Sequence, residues 1–86
     1  NLTANYNSVI KVIQLNWNST DNNILYFDIE RKTDSTSYAL LRRIESGNNL
    51  YLDFNIETNK IYTYRIRGYD LNRFSDYSNE VTISTY

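Results

Sequence analysis

Apolar and polar positions alternate with period two along much of this chain, most cleanly where Tyr62, Tyr64 and Ile66 interleave with Thr63, Arg65 and Arg67. A strand with one buried face produces this pattern. A polar corner at 57–60 leads into it, and a polar loop at 70–78 leads out to a second run, Val81-Thr82-Ile83. Upstream, residues 2–6 read as a short first strand. In residues 10–17, Ile13, Leu15 and Trp17 fall on one face, with Gln14 and Asn16 on the other. Val12 interrupts that alternation, which predicts that the outer face is covered at one end. Residues 26–32 put Phe27 and Ile29 inward and Asp28 and Glu30 outward. The 38–44 stretch, with Leu40, Leu41 and Ile44, is mixed enough to fit an edge strand or one or two helical turns. Residues 51–55 read as a further strand. Polar clusters at 18–23, 33–37 and 47–49 are turns by composition, and Gly47 supplies the positive φ that the last of these needs. Seven short strands separated by polar turns predict an all-β sandwich, a single domain over 1–86.

Length sharpens this reading. A chain of 86 residues buries only about 60% of its unfolded surface, so its core must be efficient. A hydrophobic fraction of 41%, with nine Tyr, three Phe and one Trp, supplies the bulk. These aromatics and a net charge of −1 argue against disorder and against nucleic acid, which calls for a clustered basic surface. No apolar run of about 18 residues is present to span a membrane. The opening residues, Asn1-Leu2-Thr3-Ala4, lack the basic-then-apolar pattern of a signal peptide. Cysteine and histidine are both absent, which removes the usual ligands for zinc, haem and iron–sulfur clusters and the usual Cys- or His-dependent nucleophilic sites. No cofactor or metal is expected.

Candidate chemistry is sparse. Asp28 and Glu30 share an outward face, as a glycosidase acid pair would. Arg65 and Arg67 on a neighbouring strand make cross-strand ion pairs the better reading, so no catalytic residue is assigned. Arg31, Lys32, Arg42, Arg43, Arg65 and Arg67 could gather into a patch for a polyanion such as heparin or teichoic acid. Interleaved Asp28, Glu30 and Glu45 favour a mixed, solvated face instead. Arg67-Gly68-Tyr69-Asp70 is not an Arg-Gly-Asp motif, because a tyrosine intervenes. The surplus aromatics Tyr6, Tyr26, Tyr38, Tyr69, Phe74, Tyr77 and Tyr86 exceed what the core pattern requires. Flat rings stack on sugars and anchor interfaces, so Phe74, Tyr77, Arg73 and Tyr69 are the candidate binding residues, with packing beneath the loop as the competing role. Asn1 and Asn18 each open a glycosylation-type triplet.

The order and spacing of several features resemble the fibronectin type III family. Leu15-x-Trp17 matches the tryptophan of that family's strand B, and Phe27-x-Ile29-x-Arg31 resembles its strand C. Asp53 and Ile56 match an Asp-x-x-Leu spacing, and Tyr62 after the polar corner fits a tyrosine corner, in which the phenol folds back onto an upstream backbone group. Gly68 stands inside strand F, where the family usually has a small alanine; close packing is the expected reason. Trp17, Tyr62, Ile56, Tyr64 and Ile66 are then structural. The chain departs from the family in having no proline and in carrying Arg73 where many relatives have glycine in the loop between strands F and G. The resemblance implies a seven-stranded immunoglobulin-like sandwich of fibronectin type III topology with 38–44 as edge strand C′. It also implies a non-catalytic spacer or interaction module of a larger extracellular or cell-surface protein. Such modules occur in bacterial polysaccharide-degrading enzymes, so the expected partners are neighbouring domains of the same polypeptide. The alternative is a glycan- or protein-binding module of an adhesin, receptor or phage tail that uses the loop aromatics.

Overall fold

The computed structural model describes residues 1–18 and 23–86. The turn at 18–23 and the Asn18 triplet extend into residues outside that set. Among the described residues seven strands form: β1 (Thr3–Asn7), β2 (Val12–Asn16), β3 (Tyr26–Thr33), β4 (Ala39–Glu45), β5 (Leu50–Asp53), β6 (Ile61–Tyr69) and β7 (Val81–Ser84). They make two antiparallel sheets, ordered β1-β2-β5 and β4-β3-β6-β7. The chain is an all-β sandwich, as its patterning predicts.

β6 shows why. Its residues alternate between half-buried and buried along all nine positions, with Tyr62, Tyr64, Ile66 and Gly68 facing inward. They meet Leu2, Ile13, Leu15 and Trp17 from the other sheet and Phe27 and Ile29 from β3 in one continuous core. Trp17 packs edge-on against Phe27 at 5.8 Å between ring centroids, a favoured aromatic geometry. Ile56 packs against the same core. The Tyr62 hydroxyl accepts the backbone N–H of Glu57 at 2.8 Å, which completes the corner before β6. Gly68 is small because Ile24 fills the space beside it: a Cβ there would lie 2.6 Å from the Ile24 Cδ1. Gly47 has φ +98, as its turn requires. Val12, directed outward by strand alternation, is nevertheless buried.

The 38–44 stretch is an edge strand, not a helix. β4 pairs with β3, and the register shifts between Ile29, opposite Arg42, and Glu30, opposite Leu40. Leu41 is the extra residue at this bulge, so Leu41 and Ile44, three apart, both pack on the core. A bulge breaks strict period two, which accounts for the mixed pattern.

Candidate functional site: the aromatic and arginine face of the four-stranded sheet

On the outer face of β4-β3-β6-β7, alternation places Tyr26, Asp28, Glu30 and Lys32 of β3 beside Thr63, Arg65, Arg67 and Tyr69 of β6. The β6–β7 loop folds over this face because it is stitched to the end of β6. The Ser75 and Ser78 N–H groups donate to the Gly68 and Ile66 carbonyls at 2.8 and 2.7 Å. Their hydroxyls in turn accept the Gly68 and Ile66 N–H groups at 2.9 and 3.1 Å. Serine oxygens thus stand in for the carbonyls of a partner strand. At the tip, Asp70 Oδ1 accepts the N–H groups of Asn72 and Arg73, an Asx turn. Those bonds, that from Arg73 foremost, hold the Asp70 carboxyl below the usual carboxylate range.

The loop geometry lays its aromatics onto the sheet. Phe74 stands 5.0 Å from Tyr69, which stacks on Tyr26 at 4.9 Å. The Arg67 guanidinium lies over Phe74 at 3.8 Å and over Tyr77 at 4.6 Å. Arg65 is sandwiched between Tyr77 at 3.7 Å and Tyr38 at 3.9 Å. Glu30 receives Arg65 at 2.7 Å and the Tyr77 hydroxyl at 2.9 Å. Tyr38 is held from both sides, with Lys32 over its ring and its hydroxyl donating to Glu80. Burial, seconded by the Glu80 carboxylate, pushes the Tyr38 phenol up to about 12. Burial and Glu30 push Tyr77 in the same direction.

Of the four candidate binding residues, Tyr69, Phe74 and Tyr77 therefore come together on one face, in contact with side chains of this chain. Phe74 keeps 37% of its surface exposed. Arg73 stands apart, exposed at the loop tip. The expected ion-pair ladder forms only in part. Glu30 and Arg65 are directly opposed and bonded. Asp28 is also opposite Arg67, but it takes a two-pronged bond from Arg43 at 2.8 and 3.1 Å, while Arg67 is covered by the loop rings. The planar fork of an arginine matches a carboxylate better than a single contact does. The Asp28 bond, set against a smaller desolvation, holds the Arg43 guanidinium above its usual value.

Arg31 leaves the expected basic patch altogether. It shares an inward parity with Phe27 and Ile29, lies over the Tyr62 ring at 5.2 Å and donates to Asp53 at 2.8 Å. Asp53 is fully buried and also accepts the Tyr64 hydroxyl at 2.7 Å and the Asn55 N–H at 3.1 Å. Burial and this carboxylate raise the Tyr64 phenol strongly. The cluster is a polar bolt between the sheets. Counting parity through Phe27-x-Ile29-x-Arg31 and Tyr51-x-Asp53 is the signal that finds it. Among the described residues no group of three or more acidic, His or Cys side chains is placed to hold a metal ion, and no helix is long and apolar enough to cross a membrane.

No family model matches the chain, and no curated protein does. Solved structures do. An Fn3-like protein from Clostridium thermocellum superposes with a TM-score of 0.80 over 95% of this chain and 84% of its own, at 18% identity. The sixth fibronectin type III domain of a human fibronectin type III domain containing protein gives 0.80 over 98% and 79%, at 15% identity. A β-1,2-glucanase from Parabacteroides distasonis gives 0.83 at 28% identity, covering 99% of this chain but 12% of the enzyme. The chain has a fibronectin type III-like β-sandwich fold.

Proposed function

We propose that this module is a non-catalytic spacer and interaction element of a larger secreted or surface protein, one that degrades polysaccharide. The observation that carries this reading is the position of the termini. Leu2 and Asn79 bond reciprocally, Leu2 N–H to Asn79 Oδ1 and Asn79 Nδ2 to the Leu2 carbonyl, both at 2.9 Å. The start of β1 is thereby fastened beside the start of β7. At the far end of β7, Thr85 is fixed by Glu57, Asn59 and Lys60. The chain thus enters beside the start of β7 and leaves past its end, the geometry that sets distance and orientation between flanking domains. The glucanase likeness supports the parentage, because there a similar fold occupies a small part of an enzyme. Of the four strand carboxylates, Asp28, Glu30 and Asp53 are each engaged by an arginine and Glu45 ends the edge strand β4, exposed, which supports a non-catalytic role.

A second reading, recognition through the β6–β7 loop, has the exposed Arg73 and the part-exposed Phe74 in its favour. The parent polypeptide decides the first. Its intact mass should be well above the 10.2 kDa of this chain, with sequencing past Asn1 or Tyr86 running into a further domain. A native protein of 10.2 kDa would end the spacer reading.

A further inference from the structure

The three-stranded sheet differs in chemistry from its charged partner. On β1, β2 and β5 the one charged residue is Asp53, and it is buried between the sheets. Register sets Asn5 against Gln14, Gln14 against Leu52, and Asn7 against Val12. The outer face is therefore a row of amides beside aliphatic side chains. With Tyr6 and Ile10, these residues line a groove of about 490 Å³, within the size range of small-ligand sites. Phe54, next after β5, stands 63% exposed.

The polar groups of this groove have bonding capacity to spare. Asn5 and Tyr6 make no side-chain hydrogen bond among the described residues. Asn7 uses its Oδ1 on the N–H groups of Val9 and Ile10 and keeps its amide donors. Gln14 gives its Nε2 to Asn16 at 2.9 Å and keeps its oxygen. An amide offers a donor and an acceptor side by side, which suits vicinal hydroxyls, and an aliphatic floor suits the C–H face of a sugar ring. A charged ligand would find no counter-charge in the groove. A protein partner would draw on aromatic and arginine anchors, and the strand arginines all lie on the other sheet.

We propose that the outer face of β1-β2-β5 binds a neutral oligosaccharide, seated over the Asn5–Gln14–Leu52 row. The proposal goes beyond the spacer reading, which needs no ligand and stands whether or not this face has one. The test is an amide-resolved NMR titration with β-1,2-, β-1,3- and β-1,4-linked glucose oligomers, with galacturonic acid oligomers as the charged control. At least one neutral oligomer should give saturable shifts centred on Asn5, Asn7 and Gln14, and the charged control none. The exposed-site variants Asn5→Ala and Gln14→Ala, their spectra otherwise unchanged, should each weaken the Kd about fivefold, the loss of one hydrogen bond. Three results would overturn the proposal: no saturable shift with any neutral oligomer, shifts centred on Phe74 and Tyr77, or a Kd that neither variant moves. Shifts at this face that grow with protein concentration alone would also overturn it, as the mark of two copies pairing there.

Discussion

Removing the Asp53 carboxylate leaves the Tyr64 hydroxyl and the Arg31 guanidinium facing the space between the sheets. The Tyr64 hydroxyl is fully enclosed, and an orphaned buried donor costs about 1–3 kcal/mol. The Arg31 side chain is 21% exposed and can turn partly toward water, so it adds less than a wholly buried partner would. Asp53→Ala should therefore lower the unfolding free energy by about 2–4 kcal/mol, read from urea denaturation. Asp28→Ala should cost about 1 kcal/mol or less, because the Arg43 side chain it releases is 51% exposed and is re-hydrated. Equal effects would mean that the inward placement of Arg31 is wrong. Strand parity already carries that placement, since Arg31 continues the row of Phe27 and Ile29. What period two cannot convey is the partner: Asp53 lies 22 residues away, and only the pairing of β5 with β2 brings it across the core.

At the scale of elements, the strands were legible because each has a short apolar run with polar punctuation, and the structure shifts their ends by only a residue or two. β4 resisted because its bulge resets the alternation at Leu41. The β6–β7 loop resisted for another reason: the sequence leaves Phe74 and Tyr77 open between ligand contact and packing beneath the loop, and it is the serines fastening the loop to β6 that lay them on Arg67 and Arg65. That face makes a pH prediction. Burial and Glu80 push Tyr38 up to about 12, and Tyr77 on the same face, like Tyr64 in the core, also lies above the ordinary phenol value of 10. Their folded-state pKa values are raised, so their contribution to stability is complete below about pH 10 and is lost as pH climbs toward the folded values. In that window the unfolded chain binds fewer protons than the native one, and stability falls with rising pH. The thermal midpoint should drop between pH 10 and 12, and Tyr38→Phe should flatten part of that drop. An unchanged slope in the variant would show that Tyr38 is not held by Glu80.

For the whole molecule, the two sheets divide the labour. The four-stranded sheet spends its charges on itself, tiling arginines with rings and carboxylates. The three-stranded sheet leaves a neutral, amide-lined face to solvent. Between them the termini are pinned at the two ends of β7 by Asn79 and Thr85, the geometry on which the proposed spacer role rests. The distance between those termini tests the account most directly. The sequence has no cysteine, so Asn1→Cys and Tyr86→Cys take spin labels cleanly, and double electron–electron resonance reads their separation. The account predicts a single narrow distribution at or above about 23 Å, the reach of residues 79–86 at about 3.3 Å per residue, because Asn1 sits beside the Leu2–Asn79 bonds. A short separation, with both labels at one end, would contradict it.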